Sequence, residues 1–203
     1  MHLLNYYYSI KSALPKNFCN EVIKFASKKK DSLGNIGNTE LSEKNLEDLK
    51  IKRDSNIVFF SDEWIYKEVL PFIDQANKKA GWNFQIDRAE PMQFTKYKLN
   101  QFYGWHTDSW QKPYEKKDGD EFVGKIRKLS ATIQLSDEND YEGGDLEFQF
   151  RNDDDPNIIN NKNVYKTIGS IIVFPSFVWH RVKPVTKGVR YSLVMWFCGK
   201  PFQ

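Results

Sequence analysis

The hexapeptide WHTDSW, Trp105 to Trp110, sets a histidine and a carboxylate two positions apart. On a strand, residues i and i+2 share a face, so His106 and Asp108 turn toward one point while Thr107 turns away. An imidazole nitrogen and a carboxylate oxygen suit a divalent transition metal, but two polar residues on the wet face of a strand fit the pair as well. A third ligand would decide between these readings. The chain has three histidines. His2 sits at a terminus prone to fraying, which leaves His180, in FPSFVWHRVKPV. A hydrogen-bonded core histidine is the alternative there. Two histidines and one carboxylate form the facial set that holds non-haem Fe(II) and leaves positions open for other ligands.

Ten residues beyond His180, GVRYSLVMWF alternates so that Arg190, Ser192, Val194 and Trp196 share one face and Tyr191, Leu193, Met195 and Phe197 the other. An arginine on so apolar a strand is costly unless it meets an anion. Its planar fork pairs with a carboxylate through two hydrogen bonds, and the Ser192 hydroxyl adds a donor. An internal Asp or Glu would serve, but a diacid bound beside a metal accounts for His180, Arg190 and Ser192 together.

These residues resemble the Fe(II)/2-oxoglutarate-dependent dioxygenases, in particular the prolyl 4-hydroxylase-like branch and its PKHD-type hydroxylases. The resemblance runs from about Met92 to Phe197 through YKLNQFYGWHTD, LSATIQLSDENDYEGGDLEF and FPSFVWHRVKPVTKGVRYSL. It implies a double-stranded β-helix of the jelly-roll or cupin kind, in which His106, Asp108 and His180 are the catalytic, iron-binding residues. Arg190, helped by Ser192, would anchor the distal carboxylate of 2-oxoglutarate. Tyr97 and Gln134 fall where relatives contact the cosubstrate, although Tyr97 also reads as an ordinary strand aromatic. The implied cofactors are Fe(II), 2-oxoglutarate and O2, with ascorbate as accessory reductant. The implied reaction hydroxylates a C–H bond and releases succinate and CO2, with a prolyl residue of a peptide or protein as the favoured target. A nucleic-acid base or small-molecule oxygenase, and a non-catalytic β-roll that binds a metal or a diacid, are the rival readings. Trp105, Trp110, Trp179 and Trp196 cluster around the ligands in sequence and would wall a pocket or pack a core, the latter preferred for Trp196.

The elements that must position these groups read as one domain over 1–203, mainly β with supporting helices and strands in 1–83 and a β-roll in 84–203. A helix is expected over Pro15–Lys30, a loop over 31–50 and a strand at SNIVFF. A second helix should follow, with Ser61 as N-cap, Gly81 as its stop and a kink or split at Pro71. Strands are expected at 84–87, 92–99, 128–136, 145–151, 164–174, 178–184 and 189–198. Loops fall at 111–127, where a lid would belong, and at 152–163. Thirty basic against 27 acidic residues leave a net charge of +3, a field too weak to demand or exclude nucleic acid. Cys19 and Cys198 show no metal or disulfide spacing and read as free thiols. Neither a leader nor a membrane span is apparent, so a cytoplasmic location is expected.

Overall fold

The computed structural model describes residues 5–34, 51–109, 112–150, 158–159 and 164–202, with backbone alone at 150, 158 and 159. Two antiparallel sheets face each other. The larger runs, in spatial order, β1 (Tyr8–Ile10), β12 (Ile171–Pro175), β8 (Ile126–Gln134), β15 (Arg190–Gly199), β6 (Met92–Tyr97), β4 (Asn56–Phe60) and β2 (Ser32–Leu33), with β5 (Arg88–Ala89) added to β15. The smaller runs β11 (Ile158–Ile159), β10 (Leu146–Phe150), β13 (Trp179–Val182), β7 (Phe102–His106) and β3 (Arg53–Asp54), while β14 (Val185–Gly188) pairs with β9 (Tyr141–Gly143). This is the expected jelly-roll arrangement.

Two helices cover the outer face of the larger sheet. Helix α1 (Lys16–Ala26) buries Phe18, Cys19, Val22 and Ala26, and α2 (Glu63–Lys79) buries Ile65, Val69, Ile73 and Ala76, both at helical spacing. They pack on Leu129, Ala131, Ile133, Leu193, Met195 and Phe197 in the main core, each of the larger side chains contributing roughly 1.5–3 kcal/mol by leaving water. A smaller cluster, including Leu146, Phe148, Phe174 and Val182, fills the space between the sheets near His180. Strand β15 therefore has a helix-packed face and a face turned to the interior of the roll. Both cysteines are free and buried. No described helix is long and apolar enough to cross a membrane.

Several boundaries differ from expectation. Helix α2 starts after Asp62 and runs unbroken through Pro71. Pro71 and Lys67, four residues earlier, are both exposed, so the carbonyl left without a helical donor meets water and no split results. Residues 84–87 form no strand, because the Asn77 side chain takes both backbone groups of Phe84, donating to its oxygen at 2.9 Å and accepting from its nitrogen at 3.0 Å. The strand expected over 164–174 begins only at Ile171, since the preceding residues turn and bond to Leu14 and Gln134 instead. The 111–127 stretch contains two short 3-10 turns, at Lys116–Asp118 and Asp120–Phe122, and its last two residues already belong to β8. Within the expected 31–50 loop, Ser32–Leu33 is a strand and 35–50 lie outside the described residues. The 152–163 loop lies outside them apart from β11.

Candidate active site

His106 ends β7 and stands directly opposite His180 of β13 in the ladder, which brings the two imidazoles within about 5 Å at their Cβ atoms. Each ring's Nδ1 meets a backbone carbonyl two residues earlier, that of Gly104 at 2.8 Å and that of Val178 at 3.0 Å. A carbonyl only accepts, so each Nδ1 carries the proton and each Nε2 keeps its lone pair. Asp108 lies just past the strand. The amides of Asp108 and Ser109 both donate to the Ser176 carbonyl, at 2.8 and 2.9 Å, which swings the carboxylate back between the histidines. Its Oδ1 is 3.6 Å from His106 Nε2 and its Oδ2 3.6 Å from His180 Nε2. Those separations exceed a hydrogen bond, and Oδ2 is buried without a partner.

The electrostatics match ligand duty. Burial, reinforced by His180, pushes the His106 imidazole down to about 3, so it is neutral at physiological pH. Burial works against ionisation of Asp108, but His180, His106 and Arg127 together hold its carboxyl below the usual range. One atom from each of His106, Asp108 and His180 falls within 4.8 Å of the others. An orphaned carboxylate oxygen and two inward lone pairs are a donor set that a divalent cation would satisfy.

Arg190 is 1% exposed. Its Nη2 donates to Gln134 Oε1 at 3.0 Å and its Nη1 to Ser192 Oγ at 3.4 Å, while Nε is buried with no partner. No carboxylate among the described residues pairs with it, so the alternative of an internal Asp or Glu is not met there. Tyr97 sits opposite Arg190 in the β15–β6 ladder, its ring 5.5 Å from the guanidinium carbon. Burial pushes its phenol above the usual value, against the pull of Arg53 and Arg190, so it stays a neutral donor. Six of the seven residues singled out from sequence line one cavity of about 430 Å³, and the seventh, Gln134, stands behind Arg190.

Residues 92–198, just over half the chain, match the family model of the 2OG-Fe(II) oxygenase superfamily. The chain belongs to that superfamily. This class of oxygenase uses Fe(II), 2-oxoglutarate and O2, and the His106–Asp108–His180 cluster fits iron. A PKHD-type hydroxylase from Synechococcus sp. (strain CC9902) is 35% identical over 111 residues, which is 55% of this chain and 42% of that protein. The chain thus spans about two-fifths of the length of the curated relatives it matches. A prolyl-4-hydroxylase from Pseudomonas putida superposes with a TM-score of 0.68 at 18% identity, covering 96% of this chain and 93% of that one. A Trichoplax adhaerens prolyl hydroxylase, solved with a hypoxia-inducible-factor peptide fragment, gives 0.63 at 16% identity, covering 96% and 84%. At these identities the structures establish the shared fold.

The cavity corrects some sequence expectations. Thr107 was expected to face away, yet it lines the cavity, because regular alternation stops at His106. Trp196 lines it too rather than serving only as core. Trp179 points outward, 47% exposed, and Trp105 packs under Arg181 at 4.7 Å; Trp110 lies outside the described residues.

Three contributors were not anticipated. Tyr103 stacks on His106 with ring centroids 3.5 Å apart, and the Arg53 guanidinium lies 4.5 Å from the Tyr103 ring. Arg127 reaches the cavity through a β-bulge. Phe197 pairs with Leu129 but Cys198 with Arg127, so Lys128 is an extra residue and Arg127 joins the face of Trp196. Its guanidinium lies 4.0 Å over the Trp196 ring.

The GG turn of YEGGDLEF packs against Arg190. Gly144 has φ +59°, and a Cβ placed there would stand 2.9 Å from Arg190 Cδ and 3.1 Å from Val185 Cγ2. Gly144→Ala should cost about 1–2 kcal/mol in backbone strain and displace Arg190. The expected result is a lower thermal midpoint and a 2-oxoglutarate requirement raised several-fold, with metal affinity unchanged. Equilibrium titration of each ligand checks this, and an unaltered requirement would show that Arg190 absorbs the methyl.

Proposed function

We propose that the protein is a 2-oxoglutarate-dependent dioxygenase that hydroxylates a C–H bond, with a prolyl residue of a peptide or protein as its target. One observation carries this reading: a three-ligand donor set and a buried arginine with no carboxylate partner among the described residues open onto the same cavity. His106, Asp108 and His180 would hold Fe(II), and Arg190, Ser192, Tyr97 and Gln134 would receive the cosubstrate. Fe(II) and 2-oxoglutarate held there would supply the oxidising power to place one atom of O2 in succinate, with CO2 released, and the other in the substrate C–H bond.

The remaining work belongs to the chain. The Gly104 and Val178 carbonyls keep the proton on each Nδ1 and so fix the imidazole planes. The Ser176 carbonyl fixes the Asp108 backbone. Arg190 offers only donors and Tyr97 a protonated hydroxyl able to donate, which suits an anion better than a neutral cosubstrate. Ile57, Phe59, Val194 and Trp196 line the same cavity, and such apolar and aromatic walls accept an aliphatic ring while excluding water. The peptide-bound Trichoplax structure supports a peptide as the partner.

Incubation with Fe(II), ascorbate and 2-oxoglutarate should yield succinate, and a proline-containing peptide pool should gain single oxygen atoms by mass spectrometry. Binding of metal and 2-oxoglutarate without any decarboxylation would favour the non-catalytic module instead.

A further inference from the structure

Glu90 is a buried carboxylate, 9% exposed, outside the cavity wall. Arg127 donates to both of its oxygens, Nε to Oε1 at 2.7 Å and Nη2 to Oε2 at 2.6 Å. The Tyr114 hydroxyl at 2.6 Å and the Cys198 thiol at 3.1 Å add donors to Oε1. This cage holds the Arg127 fork flat on Trp196, with Nη1 turned to the Asp108 backbone carbonyl at 3.4 Å. The carboxylate of the cavity wall itself is Asp108. A guanidinium that touches the backbone of Asp108 and lines the same cavity is within reach of competing for the metal-binding carboxylate.

We propose that Glu90 is a positioning residue: it captures Arg127 as its counter-ion and thereby keeps that guanidinium from pairing with Asp108, leaving Asp108 free for metal. The inference rests on the assignment of Asp108 as a metal ligand. Its physical basis is that a buried arginine deprived of its partner seeks the next available anion, because an uncompensated buried charge is strongly unfavourable. In this geometry that anion is Asp108, whose Oδ2 has no partner.

The test is a double-mutant cycle read by Co(II) binding, followed through the visible absorption of the bound ion. Glu90→Gln should weaken Co(II) binding by about tenfold or more, the scale of losing a group behind a metal ligand. In an Arg127→Met background the same Glu90→Gln change should have no effect on Co(II) affinity, because the competitor is gone. A merely structural Glu90 would lower affinity equally in both backgrounds, and that result overturns the proposal, as does unchanged binding in the single variant. Should Glu90→Gln not fold, Tyr114→Phe supplies the first arm: it removes one hydrogen bond from Glu90 and should weaken Co(II) binding by about two- to threefold. That loss too should vanish with Arg127→Met, and a loss that persists overturns the proposal. A wild-type protein that binds no Co(II) instead overturns the metal site, whereas a flat cycle in a Co(II)-binding protein overturns the role of Glu90 alone.

Discussion

Asp108→Ala is expected to abolish succinate formation and to weaken Fe(II) binding by more than the roughly 10–100-fold that follows loss of a group behind a ligand. Two imidazole donors would remain, with no anionic charge to offset the cation. The substitution removes a buried carboxylate, 8% exposed with one oxygen unpartnered, that the flanking histidines and Arg127 keep ionised. Stabilisation by added metal follows from binding to the native state, so it should disappear from the variant. Thermal melts with and without Fe(II), beside a titration of bound metal, measure both halves. Retained turnover, or metal-dependent stabilisation equal to wild type, would remove Asp108 from the donor set.

Arg190→Met is expected to raise the 2-oxoglutarate requirement by about 10–100-fold, since hydrogen bonds to a charged group contribute ~1.5–3 kcal/mol and 1.4 kcal/mol is a factor of ten. Metal affinity measured without 2-oxoglutarate should hardly change. The long unbranched thioether fills much of the space the stem occupies, so the lost charge rather than a cavity dominates. Arg190 is among the largest fully buried side chains of the described residues, with Gln134 and Ser192 as its hydrogen-bond partners and its Nε unpaired. Apo stability should therefore hold or rise, as it does when a costly buried charge is replaced by an apolar group of similar volume. Paired titrations of Co(II) and 2-oxoglutarate decide it. An unaltered 2-oxoglutarate requirement would move the anchor away from Arg190.

The sequence was most readable where one strand keeps perfect period. In β15, alternation alone put Arg190, Ser192, Val194 and Trp196 on one face and Leu193, Met195 and Phe197 on the other, and the first set lines the cavity while the second lies in the core. His106 and His180 were brought together by counting histidines, and the ladder shows why they meet: they are direct cross-strand partners. Reading failed where backbone geometry departs from repetition. Asp108 reaches the site through a turn anchored on Ser176, not through strand parity, and Thr107 follows it into the cavity wall. Asn77 diverts the chain at Phe84 by replacing a ladder with side-chain bonds. Glu90 acts through contacts with segments far apart in sequence, as Arg53 does on Tyr103, which no local pattern announces. Arg127 was hidden for a different reason, since period-two counting places it with Leu129 on the helix side of the sheet.

That misplacement turns on the pairing of β8 with β15. A regular ladder that kept Lys128 would set Lys128 opposite Cys198 and turn Arg127 into the apolar layer with Leu129, whereas leaving Lys128 unpaired keeps Arg127 opposite Cys198 on the cavity face. The register at this one position thus decides which cation faces the cavity.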